Sequence, residues 1–212
     1  MPPTTRLLSP LVVTLTAFLV AGCSVFGGKA AEETPYSVVE RDGEFEIRQY
    51  EDYAIARTFV EATYDEMDRE AFGRLFDYIT GENQTNGEVA MTAPVLMAPA
   101  GEEIAMTAPV LMEEGGEGWW MAFVLPDGME AARAPVPTDP LVEVVDIQGP
   151  LMASLQYTGS MDEETNSAQA QRLRDWIAAR GLEAGPGYQI AGYNPPWTLP
   201  FLRRNEILIA LR

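Results

Sequence analysis

Two stretches of the chain repeat one order of patterns, and this repetition restricts the possible fold more than any other feature. In the first, Phe45 and Ile47, then Tyr53 and Ile55, alternate with Glu46, Arg48, Asp52 and Ala54, behind a turn at Asp42-Gly43. Alternation at period two marks strands with one buried face. Over residues 65–79, Ala71, Phe72, Leu75, Phe76 and Ile79 recur at helical spacings. The acids Asp65, Glu66 and Asp68 stand at the start, where the helix dipole favours negative charge, and Gly81 ends the run. The same order returns at residues 142–147 and 151–157, with a turn at Gly149-Pro150. Behind it come Asp162, Glu163 and Glu164, then Leu173, Trp176 and Ile177, closed by Gly181. We read a duplicated β-β-helix-β unit in an α+β fold, two helices lying on one antiparallel sheet or twisted barrel. Neither kind of element can leave its apolar side bare.

A second repeat is local. Residues 88–97, Glu-Val-Ala-Met-Thr-Ala-Pro-Val-Leu-Met, return at 103–112 with Ile104 in place of Val89 as the single change. Each copy reads as a strand that ends or reaches a sheet edge at Pro94 or Pro109, since proline cannot donate to a ladder. Met91, Met97, Met106 and Met112 either fill gaps in the core or form a soft surface for an irregular apolar ligand. Trp119, Trp120, Phe123 and Val124 belong to a central strand that stops at Pro126-Asp127-Gly128. Residues 193–206 carry three prolines, which hold Trp197, Leu199, Phe201 and Leu202 on a stiff extended loop ahead of Arg203 and Arg204. Apolar planes beside a basic pair suit an amphipathic anion. Equally, the loop packs on the barrel and Arg204 pairs with Glu206 or another acid. A last strand follows from Ile207 to Leu211.

Composition removes most catalytic chemistries. The 212 residues include no histidine and one cysteine, so Ser-His-Asp and Cys-His systems, histidine-ligated zinc, internal disulfides and cysteine-rich clusters are excluded. With 14 basic against 32 acidic side chains, the net charge of −18 repels a nucleic-acid backbone. Acids are plentiful, yet no motif assigns a pair of them acid and base roles, so the chain reads as a binding protein and not as an enzyme.

The first 22 residues read as an export signal: Arg6, an apolar run from Leu7 to Val20, and then Ala21 and Gly22. The run falls short of the roughly 20 apolar residues that span a bilayer. Val20-Ala21-Gly22-Cys23 has the form of a bacterial lipobox, in which Cys23 is acylated and becomes the first residue of the mature chain. Ser24 stands where Asp would mark inner-membrane retention, so the expected address is the outer membrane, facing the periplasm. Residues 23–34 form a lipid-anchored tether containing Gly27-Gly28, and the folded domain spans 35–212. Loss of residues 1–22 removes Arg6 and no acid, leaving 13 basic against 32 acidic groups and a net charge of −19.

The two copies at 88–95 and 103–110, the strand Trp120-Met-Ala-Phe-Val-Leu-Pro126 and the segment 193–206 together resemble the SOUL haem-binding protein family, in its bacterial branch, over 35–212. The resemblance implies two βαββ repeats forming a twisted eight-stranded antiparallel barrel flanked by two helices. It also implies non-enzymatic binding of haem or a related tetrapyrrole. The axial histidine of some members has no counterpart here. Binding is therefore expected through an apolar crevice, with Tyr64, Met67, Met91, Met106, Trp197, Arg203 and Arg204 as candidate contacts and Tyr64, Tyr78 or a motif methionine as candidate iron ligands. Arg57 and Arg74 join Arg203 and Arg204 as cations able to offset the acidic field around propionates. The other reading is a periplasmic module for a different amphipathic molecule or a protein partner.

Overall fold

The computed structural model describes residues 32–84, 101–195 and 197–212. The expected signal segment, Cys23, most of the expected tether, Met91 and the first copy of the local repeat lie outside the described residues. Residues 31–212 make one compact unit. Its main sheet comprises β1 (Tyr36–Asp42), β2 (Phe45–Tyr50), β3 (Tyr53–Val60), β4 (Val110–Glu114), β5 (Trp119–Val124), β6 (Val142–Ile147), β7 (Leu151–Tyr157), β8 (Gln189–Gly192) and β9 (Asn205–Ala210). The helices are α1 (Tyr64–Ile79) and α2 (Glu163–Ala179).

Every pairing in the sheet is antiparallel, in the order β6-β3-β5-β4-β8-β9-β7-β2-β1, and the sheet curls as a half-barrel. It has nine strands where eight were expected. The extra one is the edge strand β1, which doubles back from β2 through the Asp42-Gly43 turn and is mostly exposed. The two edges, β6 and β1, are not paired with each other. Read outward from the β4–β8 pair, the strands on each side come in the same relative order, with α1 and α2 in matching places in the chain.

The segments 45–50/53–60 and 142–147/151–157 do not close as hairpins. Instead β2 pairs with β7 and β6 with β3, so each half lends its leading strand to the other. The two crossings touch. The Tyr50 N–H donates to the Pro150 carbonyl at 3.1 Å and the Gly149 N–H to Asp52 Oδ1 at 2.7 Å. A Cβ on Gly149 would stand 2.6 Å from the Tyr50 carbonyl oxygen, so only glycine admits this approach.

The alternating strands sort their side chains to two cores. One face packs Met112, Met121, Phe123, Leu155, Ile207 and Ile209 under the helices, which contribute Met67, Leu75, Leu173 and Ile177. The other face packs Tyr50, Ile55, Leu111, Val124, Met152 and Leu208 within the curl of the sheet. α1 lies on β3, β5 and β6, while α2 lies on β7 and β9. The Asp162 carboxylate caps α2 by accepting from the Thr165 N–H at 2.8 Å. In the second copy of the local repeat, Thr107–Ala108 pairs with Glu32–Glu33 and stops at Pro109, after which β4 carries the chain into the centre of the sheet.

Candidate functional site

Each helix covers its own half of the sheet, and the strip where β4 meets β8 is left under a cavity of about 540 Å³. That volume lies within the ~300–1,000 Å³ typical of small-molecule sites. Val110 and Met112 of β4, Met121 of β5 and Gly192 of β8 come from the sheet. Tyr64, Met67, Arg69, Phe72 and Gly73 come from α1, and Met161, Asn194 and Arg203 complete the lining. The surface is predominantly apolar, with four thioethers and two guanidinium groups.

Gly73 sits within α1, where glycine costs about 1 kcal/mol relative to alanine. No heavy atom lies within 4 Å of the position its Cβ would take, so packing against the protein does not require it. The missing side chain instead enlarges the cavity. Gly192 differs: a Cβ there would meet Met161 Cε at 3.2 Å, so this glycine lets Met161 close over the sheet.

Tyr64 is fixed at the junction of the two helices. Its hydroxyl donates to the Met161 carbonyl and accepts from Asn166 Nδ2 at 3.1 Å, while its ring meets Trp119 edge-on with centroids 5.0 Å apart. Asn166, fully buried on α2, also donates to the Met161 carbonyl at 3.1 Å and accepts from the Tyr157 hydroxyl. Burial pushes that Tyr157 hydroxyl above the ordinary tyrosine range, and the nearby Tyr64 and Asp162 add to the effect. The Tyr64 oxygen is thus engaged by the protein, and its ring is the part offered to the cavity.

The candidates from the sequence divide. Tyr64, Met67 and Arg203 line the cavity. Met106 is 48% exposed and lies outside the lining, because Pro109 interrupts the strand and only the residues beyond it run along the cavity. Trp197, 82% exposed, points away from the lining on its proline-held loop. Arg204 is held by the fold. Its guanidinium lies 3.9 Å from the Tyr193 ring centroid and pairs with Glu206 at 3.0 Å and Glu33 at 2.9 Å. Arg57 pairs with Glu143 at 2.7 Å and lies over Trp120, and Arg74 pairs with Glu70 and Asp139, so neither reaches the cavity. The Tyr78 hydroxyl is buried and donates to the Pro135 carbonyl at 2.9 Å. Met91 and Cys23 lie outside the described residues.

The cations at the cavity are Arg69 and Arg203. Arg69 is exposed and has no ion-pair partner among the described residues. Arg203 is half-buried, its Nε donating to the Thr198 carbonyl at 2.7 Å. Sequence reasoning passed over Arg69, Gly73, Met121 and Met161. One signal was available: Arg69, Phe72 and Gly73 stand at i, i+3 and i+4 beside Met67, and a glycine amid an apolar helical stripe has no propensity reason to be there.

A family model described as SOUL heme-binding protein matches residues 31–210. Heme-binding protein 1 of Xenopus tropicalis is 32% identical, over 87% of this chain and 93% of its own length. Heme-binding protein 1 of Mus musculus is 29% identical over 87% and 94%. Among solved structures, a hydrolase from Listeria innocua superposes with a TM-score of 0.52 at 8% identity, covering 82% of this chain and 94% of that one. The EcmrR C-terminal domain superposes with a TM-score of 0.52 at 9% identity, covering 84% and 98%. At such identities the two structures share the fold alone.

Proposed function

This chain belongs to the SOUL heme-binding protein family, and from that membership we propose that it binds haem or a related tetrapyrrole, without transforming it, in the cavity between α1 and the β4–β8 pair. The observation that carries the reading is a largely apolar cavity edged by Arg69 and Arg203 in a chain otherwise dominated by acids. The group fits the residues present. A macrocycle needs apolar contact over both faces, which Met67, Phe72, Val110 and Met112 offer, and Gly73 leaves room beside them. Propionates need cations, and the two guanidiniums are the lining side chains of that charge.

A bound haem would bring an iron centre. Among the lining residues, the thioethers of Met67, Met112, Met121 and Met161 have the donor chemistry to meet it, in a chain with no histidine. The remaining residues position the ligand: Asn166 and Tyr64 fix Met161 and the start of α1, and the buried methionines exclude water.

The same proposal takes the two halves of the domain as copies of one βαββ unit. It also takes residues 1–22 as a cleaved signal peptide and Cys23 as the acylated anchor of a bacterial lipoprotein, facing the periplasm from the outer membrane. Protein purified from cells supplied with haem is expected to carry a Soret band at near-stoichiometric intensity. A preparation without that band that retains a different amphipathic molecule would replace haem with that molecule.

A further inference from the structure

Exposed apolar side chains are scattered over this molecule except at one place. Trp197 (82% exposed), Leu199 (55%), Phe201 (69%) and Leu202 (62%) stand within six residues of one another. Their exposure is not fraying, because the backbone beneath them is pinned. The Thr198 N–H donates to the Pro195 carbonyl at 3.0 Å and the Leu202 N–H to the Leu199 carbonyl at 2.8 Å. From outside the loop, the Gly159 N–H donates to the Pro200 carbonyl at 3.0 Å. A contiguous apolar patch held out in water marks a contact surface.

Two observations say what the surface meets. First, residues 193–204 contain no acid and end in Arg203 and Arg204, in a chain with 32 acids, so the loop itself carries no charge that a phosphate-bearing surface would repel. Second, the loop ends in Arg204, which pairs at 2.9 Å with Glu33. The chain leading back to Cys23 therefore enters the folded unit beside the foot of the loop, and the ten residues from Cys23 to Glu32 extend to roughly 35 Å at most. An acyl anchor at Cys23 would hold this side of the domain within reach of the bilayer. Trp, Phe and Leu on a rigid projection are the side chains that enter a membrane interface.

We propose that the loop 197–202 docks into the surface of a phospholipid bilayer, burying Trp197, Leu199, Phe201 and Leu202 among the headgroups and upper acyl chains. Asn194 and Arg203, at the two feet of the loop, both line the cavity. Docking would thus hold the cavity beside the lipid, where an amphipathic ligand passes between membrane and protein with little exposure to water. The proposal rests on the lipoprotein reading for what keeps the domain near a membrane.

The test reconstitutes the full-length protein, purified from its membranes, into phosphatidylcholine vesicles with or without bromine on the upper acyl chains. The Trp197 emission is obtained by difference from a Trp197→Phe variant, a conservative change at an exposed site. Bromine is expected to cut that emission at least about twofold and to leave the emission of the variant nearly unchanged, because Trp119 and Trp176 are buried and Trp120 is covered by Arg57 and Phe59. Equal Trp197 emission in both vesicles would overturn docking and leave the loop as a surface for a protein partner. The mass of the N-terminal peptide reads the anchor separately. An unacylated chain with quenched Trp197 keeps the docking loop and loses the anchor, whereas an acylated chain with unquenched Trp197 keeps the anchor and loses the loop.

Discussion

Glu206 has no solvent exposure yet is held as an anion. Arg48 donates to it at 2.6 and 3.1 Å, Tyr193 at 2.8 Å and Arg204 at 3.0 Å, while Arg48 also reaches Glu46 at 2.7 Å. Burial alone would raise the Glu206 carboxyl, but Arg48, Arg204 and the Tyr193 hydroxyl outweigh it and keep it below the ordinary glutamate range. A depressed folded pKa gives stability that is complete above the unfolded value, about 4.3, and is lost as pH falls through the folded value. Urea unfolding of the wild type should therefore be level from neutrality down to about pH 5 and weaken below pH 4. Glu206→Gln, which leaves Arg48 partly uncompensated, should lose about 3–5 kcal/mol at pH 7. It should also show a shallower acid dependence. Equal stability of the two proteins at pH 7 would mean that Arg48 is satisfied without Glu206. Gly73→Leu tests the opposite kind of residue. It should stabilise α1 by up to about 1 kcal/mol while its side chain fills the cavity, so that melting temperature rises and hemin affinity falls together. A variant that melts higher and still binds hemin normally would remove Gly73 from the site.

At the level of elements, the periodicities carried most of the information. Residues 142–147 and 151–157 match β6 and β7, and the stripe from Ala71 to Ile79 gives α1 to within a residue of its start, because buried faces impose their period on the sequence. Strand exchange was not legible. Tyr50-Glu51-Asp52 and Gly149-Pro150 carry turn chemistry that serves a crossing as well as a hairpin, and only the contact of one crossing with the other separates them. The cavity was partly legible: Tyr64, Met67 and Arg203 could be named, whereas Met161 reaches it from the far side of the sheet's midline and has no local pattern. Asn166 joins the beginnings of the two helices through Tyr64, Met161 and Tyr157. Asn166→Ala strands the buried Tyr157 hydroxyl, so it should destabilise by about 1–3 kcal/mol and loosen hemin binding as well. Loss of stability with unchanged affinity would make the junction purely structural.

Over the whole molecule, charge and shape oppose one another at the site. Thirty-two acids create a field that disfavours an anionic ligand, and a tetrapyrrole in the proposed cavity would bind against that field with Arg69 and Arg203 as local relief. Arg69→Gln with Arg203→Gln should weaken hemin binding at least about tenfold, while Arg204→Gln, which breaks the Glu206 cluster, should act mainly on stability. The net charge was plain from composition, but the identity of the relieving cations was not, since nine of the thirteen arginines form ion pairs among the described residues and only placement distinguishes Arg69 and Arg203 from the rest. The most direct measurement is titration of hemin into the protein and into Gly73→Leu, followed at the Soret band. The wild type should saturate at one equivalent and Gly73→Leu should bind at least about tenfold more weakly. A wild-type response no larger than that of an unrelated acidic protein, or identical curves for both proteins, would contradict binding in the cavity under α1.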